Sequence, residues 1–508
     1  MKRYYLGVDI GTCESKGVLV DEHYTVAASA SAAHAIENPQ PNYFEMDAEI
    51  WWQDFCAISR SLIAQLNLKP EQIVSVGTSV MGCDCLPVDA DCRPLRKAIL
   101  YGIDARAEPQ IQELTRELGE RGVLELFGHR PDSDDVACKI LWLKEREPEI
   151  WAKADKFLTG SSYLTAKLTG EFVVDHYLAK SCFVPLYRAD GTIDAAACAR
   201  FCRPEQLAPC ARVTDVAGRV TARAARESGL PEGIPVIVGT GDSTAESIAG
   251  GLVEPGNILL QFGSTMFYTY CVGRDLPSVP EAHFPGSYMF TVPGTYALAG
   301  GTNGCGITTR WVRDTYYAQE LAAQAQGGEN AYSIMAREAA EIAPGSAGLL
   351  VLPYLYGERS PIEDPKARGM LFGLTGDHTR AHINRAALEG VAYSTNQILN
   401  MLSRYAGAPE TITVAGGGTR NAAWMRILAD VIGRPIHTAA SWQTASYGDA
   451  CMAAIGCGDL KDFHALKQVV PSPQVVLPRA ENRALYEKYQ AIYEALYQAT
   501  AELMHRLP

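Results

Sequence analysis

Apolar residues fall in short runs that end in glycine, and longer runs with helical spacing separate them almost throughout. Tyr5, Leu6, Val8 and Ile10 form one such run, and Val18, Leu19 and Val20 return after a turn at Gly11-Thr12. This predicts a strand, glycine turn, strand hairpin over residues 5–20. Residues 257–270, NILLQFGSTMFYTY, follow the same plan with Gly263, Ser264 and Thr265 at the turn. Further strands are predicted over 71–80 and 84–89, and buried-face helices over 138–154 and 385–404. An amphipathic helix is predicted from Arg479 to Leu507. The alternation is that of an α/β protein. Two like hairpins far apart predict a duplicated architecture, with lobes 1–250 and 251–508 and a linker-like stretch at 271–286.

Four strands in this pattern run into glycines with chemistry attached. They lead to Asp9–Lys16, to Gly239, Gly241 and Asp242, to Gly263–Thr265, and to Gly416, Gly417 and Gly418. Glycine lets backbone N–H groups approach an anion, and the C-terminal ends of strands are where open α/β sheets bind ligands. Asp9 is a carboxylate in an apolar strand beside such a cradle. That suits a divalent cation held against phosphates; the plainer alternative is an Asp bracing the turn. Asp242 precedes the small-residue helix STAESIAGG, where it could be an N-cap. A carboxylate fixed there also suits orienting a hydroxyl and accepting its proton late in phosphoryl transfer. Taken together the turns predict a nucleotide cleft between two lobes, against the alternative of glycines that merely end strands and cap helices.

Composition narrows the partners. The chain has 508 residues, 47% hydrophobic and 20% charged, enough for two or three domains with their own cores. A net charge of -13 argues against nucleic acid or an anionic membrane as partner, so a bound phosphate must be held locally by amides and a metal. The 14 cysteines are scattered; neither Cys83, Cys85 and Cys92 nor Cys198, Cys202 and Cys210 has zinc spacing. Read as free thiols, they imply a reducing cytoplasm. The opening MKRYYLGVDIG puts Asp9 and two glycines where a secretory apolar core would sit, and apolar runs such as Ala347 to Tyr356 fall short of a membrane span. A cytoplasmic protein is expected.

Over essentially its whole length the chain resembles the FGGY-family carbohydrate kinases. LGVDIGT with Lys16 resembles that family's first phosphate motif, and LPVDADCRPLRKAILYGIDAR (86–106) its sugar-lobe segment ending in D-x-R, here Asp104 and Arg106. KILWLKEREPEIW (139–151), LTGEFVVD (168–175), LAGGTNGCGITTRWVRD (298–314), the stretch 352–393 and GGGTRNAAWMRILADVIGRPI (416–436) are similar in the same order. VGTGDSTAESIAGG resembles the segment that carries the catalytic aspartate, which places that role on Asp242. The resemblance implies an actin-like ATPase fold: two lobes with duplicated RNase H-like cores flanking a cleft, ATP against the second lobe and sugar against the first. It implies Mg2+ at Asp9, partly through water. Phosphates would meet Gly11, Thr12, Lys16 and the Gly263-Ser264-Thr265 turn, with Gly416, Gly417 and Asn421 near the adenosine.

The chain departs from the family pattern on the sugar side. Xylulokinases of this family usually carry Gln-Met-His where Met81-Gly82-Cys83 stands here, so Cys83 takes the histidine position and Asp84 follows. Tyr101 stands where a Trp is common. Met81 and Cys83 are either sugar contacts or core packing, and Arg106 with Asp104 either binds sugar hydroxyls or clamps the loop. Glu358 and Arg359 are expected to form a structural pair, and His378 and His382 to be solvated. The activity expected is ATP-dependent phosphorylation of a sugar or polyol hydroxyl. Xylulose ranks first, followed by ribulose, gluconate, glycerol or another polyol. The competing classes are a non-catalytic sugar sensor, an actin-like chaperone or filament ATPase, and a repressor of similar fold. Whether the chain forms a homodimer is left open.

Overall fold

The computed structural model describes residues 2–279, 284, 286–440, 444–470 and 474–507, so part of the 271–286 stretch lies outside the described residues. β1 (Tyr4–Ile10), β2 (Glu14–Asp21) and β3 (Val26–Ala33) form an antiparallel meander in which Asp9 pairs with Lys16. The helix α1 (Ala48–Gln65) is started by Asp47, whose side chain accepts from Glu49 N, and it buries Trp51, Phe55, Ile58 and Leu62. The chain then returns as β4 (Ile73–Val80), parallel to β1, with Asp9 opposite Ser79. β5 (Val216–Arg219), β6 (Pro235–Ile237) and β7 (Thr240–Gly241) complete a sheet ordered β5-β6-β4-β1-β2-β3, with β7 alongside the end of β4.

The same topology recurs. β8 (Asn257–Phe262), β9 (Met266–Val272) and β10 (Tyr296–Thr302) form the second meander, and β11 (Thr411–Ala415) runs parallel to β8. β12 (Ile436–Thr438) and β13 (Gln474–Val476) extend that sheet. This is the duplicated RNase H-like core of an actin-like ATPase. The penultimate residue of the leading strand is Asp9 in one copy and Gln261 in the other, so only the first carries a carboxylate there.

Helices needed below are α2 (Val136–Arg146), α3 (His176–Ser181), α4 (Asp242–Ala249), α5 (Gly306–Tyr316), α6 (Ala331–Glu341), α7 (Arg380–Tyr405), α8 (Ala422–Ile432) and α9 (Ala445–Gly456). The single helix expected over 138–154 is two, α2 and Pro148–Lys153, because Pro148 has no N–H to continue the first. The C-terminal helix spans Arg483–Met504, after a short turn at Ala480–Asn482.

Two compact units result: Met1–Val253 with Tyr288–Tyr296 and Trp442–Pro471, and Glu254–Ser287 with Ala297–Ser441 and Ser472–Pro508. The first switch falls just past Gly250-Gly251, but a single cut misses the segments that return to the first unit. One of them carries α9, which lies directly on β1 and β4. A Cβ on Gly7 would sit 1.9 Å from Ser446 O, and one on Gly77 2.3 Å from Asp449 O, so these two positions admit the helix backbone only as glycine. Among the described residues no helix is long and apolar enough to cross a membrane.

Candidate active site

In the first unit the ends of β1 and β7 bring Asp9 and Asp242 together, with the Ser79 hydroxyl of β4 beside Asp9. Asp242 is not the N-cap of α4 but its first residue, with Gly241 as the cap. Its Oδ1 accepts from Ser243 N at 2.7 Å, and the backbone of Gly82 packs against Gly241, where a Cβ would lie 3.5 Å from Gly82 Cα. Burial pushes Asp242 up to about 6, and the nearby backbone N–H groups of Ser243 and Gly82 keep it from rising further. Burial pushes Asp9 up to about 8, helped by the charges of Asp242 and Glu246 and opposed by the Ser79 hydroxyl and Lys16. Glu246, one turn after Asp242, rises to about 7 through burial and the Asp242 charge. Lys16 itself stays half exposed, 3.4 Å from Glu14.

Ser79 explains how Asp9 is held. Its Oγ lies 2.9 Å from Asp9 Oδ1 and 2.7 Å from Asp449 Oδ2. One hydroxyl carries one proton, so it can donate to only one of two carboxylates. Asp449 is fully buried and its other oxygen has no partner. Burial and the neighbouring Asp9 push it well above the usual carboxylate range. Ser79 therefore bridges two buried carboxylates whose ionisation burial disfavours, and donates to one of them at a time.

Asp9 faces the negative charges of Asp242 and Glu246, opposed by that of the half-exposed Lys16. This fits a divalent cation. No group of three or more His, Cys, Asp and Glu is gathered as a cage among the described residues.

The residues expected on the sugar side divide. Met81 is 1% exposed and packs in the apolar core. Arg106 is also buried: its Nε and Nη2 donate to Asp104, its Nη1 to Glu45 at 2.7 Å, and it lies over the rings of Tyr43 and Trp142. Asp104 in turn accepts from Phe44 N at 2.6 Å. The pair clamps the loop and presents neither side chain to an acceptor. Cys83 is bonded to Cys182, correcting the expectation of free thiols throughout; a partner 99 residues away leaves no spacing signal. Asp84 is fully buried with neither oxygen hydrogen-bonded. Burial raises it strongly, opposed by the Lys139 charge.

Thr12 and Tyr101 meet, hydroxyl to hydroxyl, at 3.0 Å. A Trp in place of Tyr101 would have no hydroxyl to offer. Asp134, Ser79, Glu246 and Asp449 make up the part that motif reading passed over. The one signal available was an Asp within the small, apolar run ASYGDACMAA.

The second unit holds a cavity of about 820 Å³, lined by Gly263, Ser264, Gly417 and Asn421 among others. The turn is moored to α5: Gly306 N donates to Gly263 O at 3.0 Å and Ile307 N to Ser264 O at 2.8 Å. Thr265 closes that turn, its carbonyl accepting from Gly263 N at 3.0 Å. Gly416 has φ 89°, which brings the following glycines round to the cavity, and Asn421 caps α8 by accepting from Trp424 N at 3.0 Å. Opposite walls come from Arg310 on α5, Tyr332 and Ser333 on α6, and Asn384 on α7, none of which lies in a glycine motif.

Two remaining expectations resolve here. Glu358 Oε1 accepts from Asn303 N at 2.7 Å and Arg359 N at 2.8 Å, a loop-bracing role. His378 and His382 bond backbone N–H groups at the start of α7.

A duplicated actin-like fold, a buried Asp at a helix start and a glycine-lined cavity define a phosphotransferase. Residues 4–249 match the N-terminal domain of the FGGY family of carbohydrate kinases and residues 267–457 its C-terminal domain; the chain belongs to this family and is a carbohydrate kinase. It is 28% identical over 509 residues to a xylulose kinase of Staphylococcus epidermidis, covering 99% of this chain and 98% of that one. A gluconokinase of Bacillus subtilis is 26% identical over 496 residues, covering 97% and 95%. The crystal structure of a xylulose kinase from Rhodospirillum rubrum superposes with a TM-score of 0.86 at 30% identity, covering 99% of this chain and 100% of that one.

Proposed function

We infer that the chain transfers the γ-phosphoryl group of ATP to a hydroxyl of a neutral ketopentose, with xylulose first among the acceptors. The observation that carries this reading is Asp242. It stands in the first turn of α4, fixed by the Ser243 N–H and pushed to about 6, so near neutral pH it is ionised and still able to take a proton. Asp242 orients the acceptor hydroxyl and receives its proton late in the transfer. The hydroxyl of Thr12 and the backbone at Gly11 meet the phosphates from the first unit. The Gly263–Thr265 turn and the cavity around Gly417 and Asn421 hold the nucleotide on the second, whose volume is in the range that such ligands fill. Asp9, steadied by Ser79, is the protein ligand for Mg2+, which when bound neutralises charge on the phosphates.

The electrostatics favour a neutral acceptor over an aldonate. Asp134 adds its negative charge to the environment of Asp242. An acceptor carboxylate about 6 Å from either would cost about 3 kcal/mol per pair at an effective dielectric near 20. The test is ADP release with Mg-ATP across pentuloses, pentitols, hexuloses, aldonates and glycerol, run beside Asp242→Ala. Activity on one ketopentose, absent in the variant, is expected. Turnover on gluconate alone would refute the acceptor assignment, and turnover by Asp242→Ala would remove the base.

A further inference from the structure

The backbone that steadies Asp242 is fastened at both ends of one short helix, and one fastening is a bond between two cysteines. Gly82 packs against Gly241, the residue before Asp242, where a Cβ would lie 3.5 Å from Gly82 Cα. The next residue, Cys83, is bonded to Cys182, the C-cap of α3, with the two Cα atoms 5.2 Å apart. Leu178 of α3 fills the space between: a Cβ on Gly82 would lie 3.6 Å from Leu178 Cδ2, and one on Gly241 3.4 Å. At its other end α3 is capped by Asp175, whose Oδ1 accepts from Tyr177 N and Leu178 N and from the Thr240 hydroxyl at 3.4 Å. So α3 is tied through Asp175 to the residue before Gly241-Asp242, and through Cys182 to the residue after Gly82. Cys83 moreover holds φ 61°, a left-handed conformation unfavourable for a non-glycine side chain unless its surroundings impose it. The buried Lys139 donates to Cys83 O at 2.6 Å, which leaves the sulfur bond as the second restraint on that residue.

We propose that Cys83 and Cys182 form a redox modification site whose closed state holds Gly82 against the base, its co-reactant being a low-molecular-weight disulfide or a dithiol–disulfide oxidoreductase. The other cysteines remain thiols. Several, Cys85 and Cys138 among them, are pushed up by burial and are poor nucleophiles. Cys83 is partly exposed and Cys182 is 1% exposed, which sets the order of events. The Cys83 thiolate attacks one sulfur of the oxidant, forming a mixed disulfide and releasing one thiol. The Cys182 thiolate then attacks Cys83 Sγ, forming the protein disulfide and releasing the second thiol. Two protein thiols are oxidised, one disulfide is reduced, and the two protons pass to the released thiols. Reduction reverses the sequence, frees Cys83 to leave its left-handed conformation, and loosens Gly82 from Gly241, next to Asp242.

This inference rests on Asp242 as the base, so its test separates the two. The full-length enzyme is poised with oxidised or reduced dithiothreitol, the state of the pair is confirmed by mass after alkylation, and kcat and KM are measured. The placing of the base is at stake, and small misplacements of a catalytic group are costly, so reduction should lower kcat by roughly 3- to 30-fold while KM for ATP stays within about 2-fold. Cys83→Ser and Cys182→Ser should each sit at the reduced rate and ignore the poise, and Cys198→Ser should still respond. Equal kcat in the two poises, failure of the pair to oxidise, or a persisting response in Cys83→Ser would overturn the proposal. The poise experiment on the natural chain decides even if a serine variant does not fold. Asp242→Asn should be inactive in both poises; if it turns over normally, the base assignment fails instead.

Discussion

Removing the charge of Asp9 should stabilise the protein while disabling it. In the absence of metal, Asp9 rises from an ordinary 3.8 to about 8, chiefly through burial and then through Asp242 and Glu246. A carboxyl raised in the folded state binds its proton more tightly there than in the unfolded chain. Its contribution is therefore fully present below about pH 4 and is lost as pH rises towards about 8. Taken alone, the shift is worth about 5 kcal/mol at pH 8 and about 1.7 kcal/mol at pH 5. Because Asp242 and Glu246 share the same repulsion, about 2–4 kcal/mol is expected at pH 8 for Asp9→Asn, whose amide oxygen can still accept from Ser79. For a unit of this size that is roughly 5–15 °C in Tm. The assay is thermal unfolding in chelator at pH 4, 5 and 8, repeated at pH 8 with Mg-ATP. The variant should gain little at pH 4, gain clearly at pH 8, and lose its advantage when Mg-ATP is added to both proteins. An equal gain at every pH, or none at pH 8, would refute the electrostatic account of this site.

Other outcomes follow from the same geometry. Arg106→Ala leaves the buried Asp104 without its partner and should cost about 3–5 kcal/mol in chemical denaturation, with little effect on KM for the acceptor in whatever folds. A Cβ on Gly306 would sit 2.4 Å from Gly263 O, so Gly306→Ala should distort the turn and weaken ATP binding by calorimetry at least about 10-fold, leaving the first unit unaffected. Because Asp242 titrates near 6, kcat should fall as pH drops below that value and level off above it, and in Asp242→Glu the acid limb should move.

Much of the frame is legible in the chain because it rests on local rules. Short apolar runs that end in glycine announced both hairpins, and the run TITVAGGG announced β11 and its turn. Asp242 was recognisable from its place after a glycine pair and before small residues. What was not legible depends on residues brought together from far apart. Ser79 and Asp449 lie 370 residues apart, and their meeting depends on Gly7 and Gly77 admitting a helix that belongs, by position, to the far end of the chain. The role of Arg106 depended on Glu45, Tyr43 and Trp142, none of which is near it in sequence. Cys83 looked like a neighbour of Cys85 and proved to be the partner of Cys182. The nucleotide cavity takes one wall from α6, an ordinary amphipathic helix with no motif at all.

The late return of α9 has a consequence for how the protein is made. Its seat, formed by β1, β4 and α4, has left the ribosome long before Ala445–Gly456 exists. At typical rates of synthesis the face of β1 and β4 waits roughly 20–70 s for its cover. During that interval the strands around Gly7 and Gly77 present an open apolar surface, and Asp9 and Ser79 lack Asp449. The first unit is thus begun first and finished nearly last, and the nascent chain depends on holding that surface apart from others until translation catches up.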